Sequence, residues 1–195
     1  MATLEDIDTS LITVGQPTEG GCVYVCIGTP ASLPTDATTK MSTLTDFESC
    51  GLISENGFTL AKSVTKSKHK EWGGKNVLTS TTEKEITFKL EFLEISRPVV
   101  AKLKHGSKNV TVGDDGSVSH VKEVGIEADE KVALVIDELE SNGYLRRTVI
   151  PCATVDSFDD EAHTKGSLLT YGMTFTVLVK DNTNYDEYRA KPATA

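Results

Sequence analysis

Four histidines, four cysteines and several acidic runs are the side chains with the chemistry to bind metal, attack a carbonyl or shuttle a proton. His69, His105, His120 and His163 are scattered, and none stands at a ligand spacing from another His or Cys. Asp159, Asp160 and Glu161 with His163 form the densest titratable cluster, which reads as charge at a helix start rather than a metal site. Asp114-Asp115-Gly116 is a turn lacking the remaining positions of a calcium loop. Gly73-Gly74-Lys75-Asn76 lacks the spacing and hydroxyl of a phosphate-binding loop, and no Gly-x-Ser-x-Gly elbow occurs. Glu83/Glu85 and Glu138/Glu140 lie on strand faces, with nothing to set them across a cleft. Cys22, Cys26, Cys50 and Cys152 make neither a disulfide scaffold nor a zinc site, and read as reduced residues packed as small apolar groups. Cys22 and Cys26 are expected on one side of a strand. No enzyme, cofactor or metal is therefore expected.

The elements that would position these groups are mostly strands. The chain has 195 residues, enough for one sizeable core, and 25 threonines, a β-branched residue suited to exposed strand faces. Residues 21–27 form an apolar, buried strand, and the breaker-rich segment from Gly28 to Asp36 is irregular. Asn56-Gly57 predicts a turn, with a strand from Phe58 to Thr65 after it. Glu85 to Phe92 alternates: Ile86, Phe88, Leu90 and Phe92 point one way, and Glu85, Thr87, Lys89 and Glu91 the other. Ser96 to Gly106 predicts a helix, with Ser96 as cap, Pro98 in the first turn and Gly106 at the stop. Hairpins are expected around Gly113–Gly116 and Ser141–Gly143, one helical turn over Ser157–His163, and a last strand over Leu168–Val179. Residues 181–195 have little to bury and read as an extended arm. The sum is a mainly β protein, a β-sandwich or partly closed barrel with one flanking α-helix.

Charge divides the chain. The net charge of −9 disfavours gripping nucleic acid through its phosphates. It splits into about −7 over residues 1–61, +6 over 62–110 and −8 over 111–195. Lys62, Lys66, Lys68, Lys70 and Lys75 concentrate the positive part, either as a solvated loop or as a surface complementary to other copies of the chain. Trp72 within it reads as a loop anchor or as an interface residue. No apolar stretch is long enough to span a bilayer, and the acidic start lacks the character of a signal peptide, so a cytoplasmic product is expected.

The order of motifs resembles the major tail tube proteins of long-tailed, non-contractile bacteriophages. The residues that carry it are Gly-Gly-Cys-Val-Tyr-Val (20–25), Gly28-Thr29-Pro30, Leu33-Pro34-Thr35-Asp36, Phe47 with Gly51-Leu-Ile-Ser-Glu-Asn-Gly57, and Trp72-Gly73-Gly74. The cysteines and the C-terminal fifteen residues depart from that pattern. The resemblance implies one tube domain over 1–180 with a C-terminal arm over 181–195. It implies rings of six subunits that complete an inner β-barrel and stack into a hollow tube. The tube would enclose a tape-measure protein, meet tail-terminator and distal tail or baseplate proteins, and pass double-stranded DNA without specific binding or a membrane. It implies a virion-tail location after assembly in the host cytoplasm. A long inter-subunit loop falls at 62–78, with Lys62, Lys66, Lys68, Lys70, Trp72 and Lys75 as stacking residues. Glu85, Lys89, Glu91, Asp137, Glu138 and Glu140 are candidates for the lumen. A tube subunit of a bacterial secretion or injection system, or a β-sandwich decoration or adhesion module, are the alternatives.

Overall fold

The computed structural model describes residues 8, 11–18, 22–125 and 129–191. The reading of the acidic N-terminus lies largely outside them. Eleven strands occur among the described residues: β1 (Gly15–Pro17), β2 (Val23–Ile27), β3 (Glu48–Ser49), β4 (Ile53–Lys70), β5 (Asn76–Phe92), β6 (Val110–Val112), β7 (Val118–Val121), β8 (Val132–Glu140), β9 (Leu145–Phe158), β10 (Tyr171–Val177) and β11 (Asp186–Ala190). One helix, α1 (Pro98–His105), follows β5. Nine strands form one sheet in the order β3-β2-β8-β9-β10-β5-β4, with β1 added to β8 and β11 to β9, while β6 and β7 pair separately. The architecture is mainly β and sandwich-like with one helix, and the sheet does not close into a barrel.

The sheet wraps one core. Phe88, Leu90 and Phe92 of β5, Leu134 and Ile136 of β8, Ile150 of β9, Met173 and Phe175 of β10 and Val99 and Val100 of α1 all meet there, fully buried. A second, smaller cluster covers the opposite face of β8, where Met41 and Phe47 pack on Ala133 and Val135. This double cover explains the uninterrupted apolar run Val132–Ile136, since both faces of that strand are inside. Cys22 joins the main core and Cys26 the second, so they do not share a side as expected. Cys22 precedes the first residue of β2, outside the strand alternation.

Several elements differ from expectation. Asn56-Gly57 makes no chain reversal. The segment is an irregularity inside β4, where the register with β5 jumps between Ile53 and Phe58 and Gly57 takes φ 65°. The helix cap position is Arg97 rather than Ser96, with no side-chain cap bond and Pro98 as the first helical residue. Phe158 ends a strand, and residues 159–164 are irregular where a helical turn was expected. The C-terminal segment has a place to pack. Asp186–Ala190 pairs antiparallel with Val149–Leu145 of β9, and Tyr188 lies against the second cluster. Pro151, which cannot donate to a ladder, stands where β9 leaves β11 at Val149 and takes β10 from Ala153 onward.

Gly51 shows why the Gly-Leu-Ile-Ser-Glu-Asn-Gly motif encodes shape. It takes φ 75°, and the Glu94 carboxylate occupies the space a Cβ would need. That carboxylate accepts the Leu52 N–H at 2.8 Å and the Arg97 Nε–H at 2.9 Å. The Arg97 bond, then the Leu52 bond, hold its pKa below the usual range.

Candidate assembly surface

The segment expected as a long loop is a β-hairpin. β4 and β5 pair from Phe58↔Leu90 out to Lys70↔Asn76 and reverse over residues 71–75, where Gly74 takes φ 84°. From Lys62 to Glu85 nearly every residue is exposed, so the outer hairpin is an arm without a core of its own. At about 3.3 Å per residue the arm reaches roughly 30 Å beyond the buried Ile86. A two-stranded ribbon of this kind is at best marginally stable alone. The tip carries Trp72 with its side chain fully in solvent, so it does not anchor the turn to the body. Val77 and Leu78 are 64% and 60% exposed beside it.

Strand alternation divides the arm into two faces. The register places Lys62, Val64, Lys66, Lys68 and Lys70 opposite Ile86, Lys84, Thr81, Thr79 and Asn76. This face continues the core side of the sheet, through Leu60↔Phe88 and Phe58↔Leu90. The other face carries Ser63, Thr65 and Ser67 with Glu85, Glu83 and Ser80. It runs on as Thr87, Lys89 and Glu91 and meets Thr176, Thr174 and Gly172 of β10. Extra residues in β5 near Thr82 and Val77 shift its alternation, so that the lysine face meets Lys84, then Thr81 and Thr79, then Asn76.

The six residues considered for a lumen do not form one surface. Glu85, Lys89 and Glu91 share the polar face, where Lys89 pairs with Asp159 at 2.8 Å and Glu91 accepts the Thr170 hydroxyl at 2.7 Å. The other three lie on β8 and are drawn into contacts within the subunit. Asp137 accepts two bonds from Arg147, from Nε at 2.6 Å and the terminal nitrogen at 2.8 Å. Arg147 also donates to the carbonyls of Asp36 at 3.1 Å and Thr39 at 2.8 Å, and its side chain is 4% exposed. Glu138 alternates to the other side of β8 and approaches Arg146 at 4.0 Å. Burial, against the pull of Arg146, raises its pKa, and Glu187 and Glu140 add to the rise. Glu140 is buried against Arg189 of β11, whose Nε donates at 2.9 Å. Nothing in the local sequence pattern announces these Arg contacts, because their partners lie on other strands and in the 36–39 turn.

Arg147 grips a turn that is already organised. The Asp36 carboxylate accepts the N–H groups of Thr38 and Thr39 at 2.6 Å each and both threonine hydroxyls, at 2.9 and 2.6 Å. The Thr39 hydroxyl, followed by the three other bonds, drives its pKa far below the ordinary carboxylate value. A depressed carboxylate pKa stabilises the fold above the unfolded value and is lost as pH falls through the folded one. Asp36→Ala is therefore expected to lower the urea midpoint at neutral pH, and the gap to the parent should narrow in strong acid. Equal gaps at both pH values would refute the titration as the cause.

No constellation for catalysis is assembled among the described residues. Among the described residues no group of three or more His, Cys, Asp and Glu is placed to hold a metal. Burial pushes the Cys22 thiol up to about 11 and raises Cys50 further, so both stay protonated and unreactive near neutrality. No helix among the described residues is long and apolar enough to cross a membrane.

The fold is thus a mainly β one whose distinctive feature is an uncovered strand pair. The chain belongs to the phage tail tube protein family, whose model matches residues 18–191. It is a structural subunit of a tail, in a family without enzymatic activity. Among solved structures it is similar to a chain in the six-fold symmetrised cryo-EM structure of the anti-feeding prophage baseplate. The match has 14% identity and a TM-score of 0.44, covering 91% of this chain and 98% of that one. No curated protein matches it.

Proposed function

We propose that the chain is the tube subunit of a long-tailed, non-contractile phage, assembled in the host cytoplasm. Six copies close a ring by edge-to-edge strand pairing, and the rings stack into a conduit for double-stranded DNA. The conduit encloses a tape-measure protein and ends on tail-terminator and distal tail or baseplate proteins. The observation that carries this reading is the run of unused strand edges on one sheet. Among the described residues β4 pairs only with β5, so its second edge is open along 18 residues. Among the described residues β5 is paired to β10 only from Thr87 to Phe92, and β9 beyond Ala153 has no partner on its β8 side. Open edges recruit other strands, and closure into a ring is the arrangement that leaves none exposed.

On this reading residues 1–180 act as one tube domain, and the 62–78 segment with Trp72 and Lys75 at its tip is the inter-subunit element. The polar face bearing Glu85, Lys89 and Glu91 is the candidate lumen wall. Hydroxyls and carboxylates there would give moving DNA little to adhere to. The contacts of Asp137 and Glu140 within the subunit give them less to offer a lumen.

Shortening the arm tests the proposal. Replacing residues 65–83 with Asn-Gly puts a two-residue turn directly after the Val64↔Lys84 pair. The removed part makes no core contact, so the unfolding free energy should stay within about 0.5 kcal/mol of the parent. Negative-stain microscopy should show rings and tubes for the parent and dispersed subunits for the shortened chain. Tubes formed by the shortened chain would sink the arm's role.

A further inference from the structure

The chain holds two Asn-Gly pairs, Asn56-Gly57 and Asn142-Gly143. In such a pair the backbone nitrogen of the glycine can attack the asparagine side-chain carbonyl, because no Cβ crowds the approach. Local structure decides whether it does. Attack needs a nitrogen that is not already donating and an amide that is not held away from it.

Asn142-Gly143 meets neither condition. It lies in the turn between β8 and β9, where the Gly143 N–H donates to the Glu140 carbonyl at 2.8 Å. The Tyr144 N–H donates to Asn142 Oδ1 at 3.2 Å. The nucleophile is thus in use, and the amide is held toward residue 144 in a local turn of its own.

Asn56-Gly57 is placed differently. The register of β4 with β5 passes from Ile53↔Phe92 directly to Phe58↔Leu90, so residues 54–57 stand against Glu91 alone. Ladder bonds join paired residues, and the Gly57 N–H therefore takes no part in the ladder. Asn56 is exposed, and a Cβ placed on Gly57 would meet nothing within 4 Å, which leaves room for a ring to close.

We infer that Asn56 is a self-modifying position. The Gly57 nitrogen forms a bond to Asn56 Cγ, the Cγ–Nδ2 bond breaks, and ammonia leaves with the proton that Gly57 gives up. Water then opens the resulting succinimide at either carbonyl, leaving aspartate or iso-aspartate at position 56. Glu91 is the neighbour that feels the change. Its carboxyl is held below the usual range first by the Thr170 hydroxyl, and it also takes a bond from the Asn56 side chain. Deamidation replaces that donor with a second carboxylate, which repels the first. Iso-aspartate also adds a methylene to the backbone between the paired residues Ile53 and Phe58, at the base of the arm. The reaction needs no enzyme and no second copy, so it marks chains by age.

Peptide mapping of the full-length chain by mass spectrometry, after incubation at neutral pH, tests the inference. Residue 56 is expected to gain about 1 Da at least about tenfold faster than residue 142, with iso-aspartate the larger product. The rate at 56 should rise with pH, since the attacking nitrogen must lose its proton. In concentrated urea the two sites should converge, because glycine follows both and only the fold separates them. An unchanged mass at 56, equal or faster reaction at 142 in the folded chain, or aspartate without iso-aspartate would overturn the inference. A difference between the sites that persists in urea would overturn the structural cause given for it.

Discussion

Arg147→Ala is expected to cost about 3–5 kcal/mol of unfolding free energy, the range for removing one member of a buried ion pair. The guanidinium is 4% exposed and the Asp137 carboxylate 14%, so the carboxylate cannot recover full hydration once its partner is gone. Two carbonyls, of Asp36 and Thr39, lose their donor at the same time. The loss should appear as a lower urea midpoint with an unchanged slope. Arg147→Ala combined with Asp137→Ala should cost less than the two single losses added, because the double variant buries no orphan charge. A single-variant loss below about 1 kcal/mol, or simple additivity, would show that the pair is not the clasp described.

Phe88→Ala should be as damaging, by about 3–5 kcal/mol, for a different reason. Phe88 is fully buried and joins three parts of the chain. Its ring stacks on Phe58 of β4 at 6.1 Å between centroids and meets Tyr185, just before β11, edge-on at 5.9 Å. Truncation leaves a cavity where the base of the arm, the sheet and the C-terminal segment meet. Chemical denaturation reads the stability loss, and faster proteolysis after residue 180 in the folded variant would report the loosened segment. An Ala variant within about 1 kcal/mol of the parent would mean that the site collapses around the missing ring.

What could be read from residues alone follows the location of the apolar side chains. Glu85–Phe92 announced itself because one face is buried and the other is wet. The helix was legible from Pro98, its apolar positions and Gly106. The outer hairpin was not, since Lys62–Lys70 is wet on both faces and strand periodicity in apolarity disappears without a buried side. Asn56-Gly57 misled because a bulge and a two-residue turn ask for the same backbone freedom. β11 was missed because its pairing depends on a strand about forty residues upstream, and a short polar segment carries no sign of such a partner. The lysine cluster was visible as composition. Its confinement to one face required the register.

The sheet order also bears on how the chain acquires its shape during synthesis. β2 finds its partner β8 more than a hundred residues later, so the body cannot close until β8 and β9 have been made. β4 and β5 are neighbours in sequence and need nothing beyond Phe92. Hairpins of this local kind form in about 1–10 μs, whereas sheets dominated by distant pairings take milliseconds to seconds. A nascent chain can therefore sample the β4–β5 hairpin before β10 has been made, but a ribbon that is at best marginally stable alone is held only once its base packs on the body. The arm is thus an early pairing of the chain and, through the contact of Phe88 with Tyr185, one of the last to be fixed in place.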